Sequence, residues 1–472
     1  MDCAPRIDIS DLGSSFLQFS YNGKPFLFHY STFELFEIDP IVTSLFNKVN
    51  NNPIEALNSQ EKAALREIRS LTQIQKKDRS PTSPSLSAIS LELNHTCNLR
   101  CKYCYVFAND NHILPESSPH QMRWEVAKSV VDFFLNQLTP GSSFFIRLFG
   151  GEPLLSFPLI KKIVSHVEEI ATSKNITTEY LLITNGTVLT DEIVSFLESH
   201  NVNLAFSVDS TEIKHDKLRP TSTGAGSFKK IEENRKHIKK SNIKKQPIAN
   251  VVVNRQNTDM FENYSFLINS GYKTVNFSFI FTNKKEFQLE TADFPKLKKE
   301  YIKIRDYILE DLPNRLSTTP LISDIFQRLK NNIARKNFCG AGKSYIGVGM
   351  DGSFYPCHRF VGNTKFKLGD PVSGINDSAR RLFLQPHIES RPVCAICPVR
   401  NVCGGGCGHT NLMYNGGIEE PRELFCLLKK FEVECALYLL LHEGEIYETC
   451  KKGEKTEKSR ESKSKEGYKE AA

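Results

Sequence analysis

The residues best suited to chemistry in this chain are its 13 cysteines. Three of them, Cys97, Cys101 and Cys104, stand in the run CNLRCKYC with C-x3-C-x2-C spacing. Three thiolates on one short loop can ligate three irons of a [4Fe–4S] cluster and leave the fourth iron open to a substrate or cofactor. The alternatives are a zinc site, which more often uses paired C-x2-C motifs, or inert buried cysteines.

A second motif follows further along the chain, in LFGGEPLL. Gly150 and Gly151 let the backbone approach a ligand closely, and the Glu152 carboxylate can accept hydrogen bonds from an ammonium group. Turn formation explains this motif equally well when it is taken alone. Its position one strand after the cysteine loop favours a shared binding site.

A second group of cysteines occupies the C-terminal part of the chain in a definite order. Four of them have C-x2-C-x5-C-x3-C spacing, and the others precede or follow that run. The full set is Cys339, Cys357, Cys394, Cys397, Cys403, Cys407 and Cys426. The spacing indicates metal binding, either by iron–sulfur clusters or by a pair of structural zinc sites.

The elements that must position these residues alternate between strand and helix patterns from residue 88 onward. Six strands are predicted near residues 89–93, 144–149, 179–184, 203–208, 248–253 and 274–279, with amphipathic helices between them. Such alternation predicts an α/β fold with a parallel sheet, and we expect a partial (β/α)6 TIM-type barrel. Catalytic groups in such barrels lie on the loops after the strands, where the first cysteine loop and the GGEP motif fall.

The remainder of the chain divides into four segments. Residues 1–75 contain a hairpin signal at Asn22-Gly23, a third strand and two helical patterns, with Ser59 as the expected N-cap of the second helix. They predict a small α+β, winged-helix-like module. Residues 76–87 read as a linker between it and the barrel at 88–337, residues 338–450 form the cysteine-rich domain, and residues 451–472 are expected to be disordered.

Composition excludes several classes of protein. The chain is 40% hydrophobic and 24% charged, as ordinary globular proteins are, and its odd number of cysteines argues against a disulfide framework. Eight Lys/Arg against five Glu in residues 451–472 supply +3 of the net charge of +7, so the charge indicates no nucleic-acid partner. No apolar run approaches a membrane span and no secretory signal opens the chain, so we expect a cytoplasmic protein without a membrane partner.

The cysteine loop and the motifs that follow it closely resemble the radical S-adenosylmethionine (SAM) superfamily, whose CxxxCxxC signature matches CNLRCKYC. The resemblance implies that SAM chelates the open iron and is cleaved to a 5′-deoxyadenosyl radical that abstracts a hydrogen atom. It also implies that Gly150, Gly151 and Glu152 hold the methionine ammonium group and that Tyr103 lies near the adenine. The further implied SAM contacts are Asn185 of TNG, Ser207 and Asp209 of SVDS, which resembles an SxDG motif with Ser210 in place of glycine, and Arg219 of an HDxxR motif. An ordinary salt bridge in a loop is the alternative for Asp209 and Arg219.

The C-terminal cysteines are similar to those of a SPASM domain, the extension found in peptide-modifying radical SAM enzymes. This resemblance implies two auxiliary [4Fe–4S] clusters, and therefore three clusters in all. The outer auxiliary cluster would use Cys394, Cys397, Cys403 and Cys426, and the inner one Cys339, Cys357 and Cys407. The inner cluster would keep an open iron, because no further cysteine shortly precedes Cys339. Cys435 or Cys450 is the alternative fourth ligand of the inner cluster, although both are expected to be buried or spare thiols, and Cys3 is expected to be incidental.

The resemblance also implies a substrate. YPCHRFVG looks like the corresponding motif of thioether-forming peptide maturases, and His358 would move a proton, orient a ligand or serve structure alone. The N-terminal module has the layout of domains that bind a leader peptide by strand addition, although a purely structural cap is the alternative. We therefore expect an oxidoreductase that installs a thioether in a Cys-rich precursor peptide, with ferredoxin or flavodoxin as reductant.

Rival functions remain open from the sequence. A sulfatase-maturating enzyme would make formylglycine, and it would carry an acidic residue where His358 stands and lack a leader module. Another radical SAM peptide modification, such as carbon–carbon cross-linking, is a second alternative. A non-catalytic iron–sulfur carrier or zinc-linked binding module would not cleave SAM.

Overall fold

The computed structural model describes residues 14–51, 57–72, 86–104, 120–241, 243, 246–280, 282 and 284–466. Side chains are described within these ranges except at residues 49–51, 69–72 and 445–466. Cys3, the Cys450 side chain and most of the predicted linker therefore lie outside the described residues.

The N-terminal module begins with a three-stranded antiparallel sheet, β1 (Phe16–Tyr21), β2 (Lys24–His29) and β3 (Leu35–Glu37). Asn22 and Gly23 form the predicted hairpin turn, and both have positive φ, +49° and +77°. Two left-handed residues match the twist of a tight hairpin, which is why Asn-Gly is favoured there. Strand β3 lies at one edge of the sheet, next to β2 alone.

Two helices cover this sheet, α1 (Pro40–Asn51) and α2 (Ser59–Thr72). The predicted N-cap at Ser59 is wrong by one residue. Asn58 accepts from the Glu61 backbone N–H at 2.8 Å, and the Glu61 carboxylate accepts in return from the Asn58 N–H at 2.9 Å, so Asn58 and Glu61 form a reciprocal capping box. The buried side chains between sheet and helices are Phe16, Leu27, Leu45, Phe46, Leu65 and Ile68.

Six parallel strands form the centre of the molecule, as the strand–helix alternation predicted. In chain order they are β4 (Ala88–Glu92), β5 (Ser143–Phe149), β6 (Thr177–Thr184), β7 (Val202–Ser207), β8 (Ile248–Val253) and β9 (Val275–Phe279). Each pairs in parallel with the strand before it. Their carboxyl ends therefore meet at one edge, where the cysteine loop and the GGEP motif lie.

Helices cover the outer face of this sheet. They are α3 (Trp124–Leu135), α4 (Phe157–Lys174), α5 (Asp191–Ser199), α6 (Glu212–Leu218), α7 (Phe228–Lys240), α8 (Met260–Asn269), α9 (Phe294–Leu309), α10 (Leu312–Arg315) and α11 (Pro320–Lys330). The short α6 was not predicted, because seven residues carry too little periodicity to detect. Helix α4 shows why the others pack as they do, since it buries one apolar stripe that includes Ile160, Val164 and Val167.

The C-terminal region extends the same sheet. Strand β10 (Tyr345–Val348) pairs in parallel with β4, and the short strands β11 (Phe354–Tyr355), β12 (Gly369–Asp370) and β13 (Gly374–Ile375) continue antiparallel from it. The short helices α12 (Asp377–Leu384), α13 (His387–Ser390), α14 (Pro392–Ala395), α15 (Arg400–Cys403) and α16 (Gly408–Asn415) follow. The cysteine-rich region is thus joined to the barrel by backbone pairing.

The last helix, α17 (Glu423–Glu466), contacts both α9 and α11. Tyr301 donates to the Glu432 carboxylate at 2.7 Å across one of these contacts. The helix backbone continues to residue 466, into the segment 451–472 that was expected to be disordered. Lys and Glu are good helix formers, and a helix already nucleated by packing extends at little cost.

Along the described ranges, every helix is either too short or too polar to cross a bilayer.

Candidate active site

The first cysteine loop is held by the segment that follows α6. The Arg100 N–H donates to the Pro220 carbonyl at 2.8 Å and the Lys102 N–H to the Leu218 carbonyl at 2.9 Å. Leu99, immediately before Arg100, is 1% exposed. These bonds hold the loop directly above the carboxyl ends of the strands.

The loop brings its three predicted ligands together. Cys101 has both Cys97 and Cys104 as electrostatic neighbours, and burial raises the pKa of Cys101 to about 12. Burial likewise raises the pKa of Cys97. The protein alone therefore disfavours thiolates here, whereas a bound cation or metal cluster would stabilise them.

A cavity of about 650 Å³ opens beside these cysteines and contains most of the predicted SAM contacts. The part that we call the cysteine-loop wall consists of Cys97, Cys101, Tyr103, Cys104, Gly150, Gly151, Asn185, Ser207 and Arg219. The part that we call the C-terminal wall consists of Arg147, His358, Arg359, Val361, Asn363, Lys365, Phe366, His409, Leu412 and Met413. Apolar residues of the barrel strands lie between the two walls, among them Leu181, Ile183 and Val252.

The two glycines of GGEP are required by close backbone contact. A Cβ on Gly150 would collide with the Asn94 backbone, and one on Gly151 with the Thr96 carbonyl. Gly150 also has φ +150°, which side-chain-bearing residues rarely adopt. The glycines thus let the strand end pack directly under the cysteine loop while still lining the cavity.

Glu152 is fully buried and does not line the cavity. Its carboxylate accepts from the Thr184 hydroxyl at 2.7 Å, from the Asn185 N–H at 2.7 Å and from the Leu154 N–H at 3.0 Å. Burial raises the pKa of Glu152 to about 7, although the hydrogen bonds from these three donors each lower it. The structure therefore places this carboxylate behind the cavity wall, where it orients the end of β6, rather than in the ammonium contact that the resemblance implied.

Asp209 and Arg219 form a buried two-bond ion pair. The Arg219 Nε donates to Oδ2 at 2.9 Å and Nη2 to Oδ1 at 3.0 Å, and Tyr103 donates its hydroxyl to the same carboxylate. Burial alone would raise the pKa of Asp209, but the Arg219 guanidinium outweighs it and holds that pKa below its ordinary value. Asp209 does not line the cavity, whereas Arg219 and Tyr103 do. The carboxylate thus positions two cavity residues instead of reaching a ligand itself.

His215 orders the turn that carries Asp209. Its Nδ1 accepts from the Asp209 N–H at 3.3 Å, while Nε2 lies 3.0 Å from the Ser227 hydroxyl, which donates to the Arg219 carbonyl at 2.7 Å. Burial lowers the pKa of His215 to about 4, so the ring is neutral at pH 7. The HDxxR motif therefore forms a network that fixes the position of the arginine.

The serine that replaces the glycine of SxDG is accommodated without strain. Ser210 is fully buried, has no positive φ and donates to the Asn263 side-chain carbonyl. The hydrogen bond to α8 compensates for burying the hydroxyl.

Asn185 and Ser207 lie where the sequence predicted, at the ends of adjacent strands and in the cavity wall. The Asn185 amide donates to the Asn98 side-chain oxygen at 2.8 Å and lies 3.8 Å from the Cys97 sulfur. It therefore links the end of β6 to the cysteine loop.

The C-terminal cysteines form two groups, and the thiols within each group are close enough to interact electrostatically. Cys357 interacts with Cys339 and Cys407. Cys394 interacts with Cys397, Cys403 and Cys426. These are the two sets that the resemblance assigned to the inner and outer clusters, although their role as ligands stays a prediction. Cys435 belongs to neither set and is fully buried within α17.

His358 lies in the C-terminal wall beside Arg147. Its Nδ1 is 3.0 Å from the Tyr345 hydroxyl and 3.4 Å from an Arg147 nitrogen. Burial and the Arg147 charge lower the pKa of His358 well below its ordinary value. The ring thus lies among hydrogen-bond donors, and whether it moves a proton, orients a ligand or serves structure alone stays a prediction.

Sequence reasoning missed Arg147, Tyr345 and Gly347. Arg147 stands at an inward position of the strand FFIRLF, where a lone charge among apolar residues is a detectable signal. A Cβ on Gly347 would collide with the Cys357 carbonyl and the His358 nitrogen, so this glycine lets the chain after β11 cross β10. No local sequence pattern predicts that crossing.

The geometry fits an iron–sulfur cluster with a small-molecule ligand beside it. Each cysteine group gathers three or four thiols, yet across the described ranges no three His, Cys, Asp or Glu side chains converge as ligands of a single metal ion would. A cubane cluster distributes its thiolates over separate irons and does not need such convergence. The glycine-lined cavity next to Cys97, Cys101 and Cys104 offers room for SAM.

Comparison with known proteins agrees with this site. Residues 91–268 match the family model of the radical SAM superfamily. This range includes the cysteine loop, GGEP and the Asp209–Arg219 pair.

Two curated relatives extend the comparison. An uncharacterised protein of Methanocaldococcus jannaschii is 31% identical over 196 residues, which cover 42% of this chain and 63% of that protein. A cysteine-type anaerobic sulfatase-maturating enzyme of Clostridium novyi is 24% identical over 343 residues, covering 68% of this chain and 88% of the enzyme. The chain thus spans less than two thirds of the first relative and most of the second.

Solved structures share the fold. Native anSMEcpe with bound AdoMet matches with a TM-score of 0.64 and 22% identity, over 75% of this chain and 99% of that one. Streptococcus suis SuiB bound to its precursor peptide SuiA matches with a TM-score of 0.50 and 17% identity, over 88% of this chain and 98% of that one.

Residues 91–268, which carry the cysteine loop and much of the cavity beside it, are thus a radical SAM domain, and the chain is an enzyme similar to an anaerobic sulfatase-maturating enzyme.

Proposed function

We propose that this enzyme is a peptide maturase that installs a thioether cross-link in a ribosomally made, Cys-rich precursor peptide. The observation that carries the proposal is the single cavity that the cysteine loop and the C-terminal region line together. A peptide segment in this cavity would contact both walls at once, so a radical made at one wall would act on a residue held near the other.

The residues that would hold the cofactors follow from the three cysteine groups. Cys97, Cys101 and Cys104 would ligate the SAM-binding cluster, with SAM between Gly150, Gly151, Asn185, Ser207 and Arg219. The inner and outer groups would ligate auxiliary clusters. When bound, the clusters and SAM supply one-electron chemistry and a hydrogen-abstracting radical. The apolar residues between the walls, including Leu181, Ile183 and Val252, exclude water from that chemistry.

The N-terminal module would bind the leader of the precursor. Its edge strand β3 borders a surface groove, and a leader added as a further strand would lie along it. The groove is formed by Pro25, Ile38, Pro40, Thr43, Ser44, Asn47 and Lys48. The module contacts the C-terminal helix α17, where the Tyr438 hydroxyl donates to the Asn22 side chain at 3.0 Å, so leader and core would bind one continuous structure.

The relatives support a peptide substrate. SuiB was solved with its precursor peptide, and anSMEcpe was solved with the Kp18Cys peptide. Both structures share this fold, which is compatible with a peptide in the corresponding cavity.

The test is anaerobic reconstitution with SAM, dithionite and a short Cys-rich peptide encoded near the gene. We expect 5′-deoxyadenosine to form, each cross-link to remove two hydrogens, and one cysteine per cross-link to resist alkylation. The same peptide without its leader should react far more slowly. Cleavage of SAM with all peptide thiols still free would contradict the thioether assignment.

Sulfatase maturation is the second candidate, favoured by the 88% coverage of the Clostridium novyi enzyme. It predicts an aldehyde in the product, detectable with a hydrazine reagent, on a sulfatase peptide without any leader. His358 at the position predicted to be acidic, and the N-terminal module, weigh against it. Aldehyde formation at a rate above that of thioether formation would replace the first proposal with this one.

A further inference from the structure

Arg147 is a cationic side chain directed into the barrel. It lies on β5 opposite Ser90 of β4, and it lines the C-terminal wall of the cavity. One of its terminal nitrogens is 3.4 Å from the Tyr345 hydroxyl, and its guanidinium lies 5.5 Å from the centre of the Tyr345 ring. Its position is therefore set by an aromatic ring and a histidine, and neither of them is a carboxylate.

No carboxylate of the described residues neutralises this arginine. Its Nε is buried without an acceptor. Glu92, on the adjacent strand, lies 3.0 Å from His95 and outside ion-pair distance of Arg147. No Asp or Glu is among the described residues that line the cavity. A sheltered guanidinium without a counter-ion is costly, and a ligand that carries an anion would remove that cost.

The neighbours of Arg147 add donors. Arginine nitrogens can only donate, so His358 Nδ1 must accept from Arg147, and the Tyr345 hydroxyl donates to the same Nδ1. An imidazole whose Nδ1 accepts can carry a proton only on Nε2, for which the described residues provide no acceptor. Arg147 and His358 together thus present N–H groups to the cavity.

The backbone explains why these side chains meet. Gly347 on β10 pairs with Ser90, and the Cys357–His358 backbone crosses directly over Gly347, where any Cβ would collide with it. The crossing brings His358 to Arg147. Cys357 itself has a different cationic neighbour, Arg359, so Arg147 is not needed to balance the thiols of the inner group.

We propose that Arg147, assisted by His358, binds a carboxylate of the substrate peptide, so that the peptide class this enzyme takes carries an acidic group near the cysteine to be modified. The inference rests on the proposed function, because it assumes that a peptide enters this cavity. It deepens that function by naming the residue that selects the substrate. The carboxylate has two possible sources, an Asp or Glu side chain and a C-terminal carboxyl group.

Equilibrium binding to the reconstituted holoenzyme with SAM tests this proposal. Three N-acetylated, unlabelled peptides of otherwise identical Gly/Ser/Cys sequence serve as probes in isothermal titration calorimetry. The first peptide has an internal Asp and an amidated C-terminus. The second has Asn in place of that Asp and is also amidated. The third has the same Asn and a free C-terminal carboxyl group. We expect the Asp peptide to bind roughly ten- to a hundredfold more tightly than the amidated Asn peptide, as charged hydrogen bonds imply. The third peptide reveals whether a C-terminal carboxylate substitutes for Asp.

Arg147→Gln should abolish the preference, and Arg381→Gln is the matched control because Arg381 is exposed and does not line the cavity. Equal affinity of wild-type enzyme for all three peptides, or no measurable binding of any at millimolar concentration, overturns the proposal. The wild-type comparison decides it even if the variant fails to fold. A changed electron paramagnetic resonance spectrum of the reduced clusters in Arg147→Gln, with the Asp preference retained, would assign the arginine to the cluster and also overturn it.

The proposed function fails in a different way. If no peptide induces 5′-deoxyadenosine formation or any mass change, peptide maturation is wrong whichever peptide binds best. If an Asn peptide is cross-linked as well as an Asp peptide and binds equally tightly, maturation stands and the role of Arg147 is wrong.

Discussion

At the cysteine-loop wall, Arg219 is paired with the carboxylate of Asp209 through two hydrogen bonds, whereas at the C-terminal wall the Arg147 guanidinium contacts Tyr345 and His358 and no carboxylate of the described residues. Both arginines line the same cavity. The first belongs to a network whose charges and hydrogen bonds are satisfied within the protein. The second has a buried Nε that no group of the described residues accepts.

The two arginines illustrate two ways to bind a ligand: one wall is preorganised, and the other has a group that the ligand must satisfy. A ligand that is the same in every turnover is best served by side chains already held in place, because no ordering cost recurs on binding. A wall that selects among substrates gains specificity from a group that only the correct substrate satisfies. On this view the cysteine-loop wall serves the cofactor, and the C-terminal wall chooses the peptide.

The largest expected effect comes from removing a thiol at the cysteine-loop wall. Cys101→Ala should reduce 5′-deoxyadenosine formation to background, because the remaining two thiols do not complete a three-cysteine cluster site. The measurement is 5′-deoxyadenosine by liquid chromatography after anaerobic reconstitution and reduction.

The control for that variant is Cys435→Ala. Cys435 is fully buried but lies in neither C-terminal group. We expect SAM cleavage at the wild-type rate and a loss of about 1 kcal/mol in unfolding free energy. Full SAM cleavage by the Cys101 variant would remove the distinction between the two walls.

The next largest effect tests whether Asp209 compensates the buried charge of Arg219. Asp209→Asn should lower the unfolding free energy by about 3–5 kcal/mol, because it leaves the buried Arg219 charge uncompensated. Urea denaturation monitored by circular dichroism measures it.

An exposed pair provides the matched control. Arg305 and Asp306 are 2.6 Å apart, and Asp306 is 53% exposed. Asp306→Asn should cost less than about 1 kcal/mol. Equal costs for the two variants would mean that the buried pair contributes no more than a surface one.

The smallest effect is on the pH dependence of the unfolding free energy, and it comes from His215 at the same wall. The pKa of His215 falls from 6.5 to about 4 on folding because of burial. The contribution of His215 to the free energy of unfolding is fully present above pH 6.5 and is lost as pH falls toward the folded pKa. It is lost because only the unfolded chain takes up the proton between these two pKa values. The loss is about 3 kcal/mol.

His215→Gln should remove this component, so its unfolding free energy should depend less steeply on pH between 6.5 and 4 than that of the wild type. Urea titrations across that range measure the slope. An unchanged slope would show that the histidine is solvated and that the network does not shield it.

Much of the fold was predictable because it depends on local patterns. The six central strands, the Asn22-Gly23 hairpin and the helices between strands follow from hydrophobic periodicity and turn chemistry. The errors arose where one local signal competed with another. Asn58 displaced Ser59 as the cap because Glu61 stands at the position that completes a capping box with Asn58.

The site was predictable to a similar degree. The three loop cysteines and the glycines were named from their spacing and position, Arg219 was implied by the family resemblance, and the structure gathers them around one cavity. Glu152 and Asp209 were named too, but they lie behind the wall. Their residue types fit either position, and only packing distinguishes a carboxylate that meets a ligand from one that orients its neighbours.

Spacing along the chain was enough to predict a three-cysteine cluster site, since ligands that share one loop must be close whatever the rest of the molecule does, and the resemblance of its motifs implied a radical SAM domain. Whether Arg147 finds a counter-ion was decided by folding, because the answer depends on strands β4, β5 and β10 and on the chain that crosses Gly347. Those segments are separated by up to about 270 residues in sequence, and charges interact according to their distance in space.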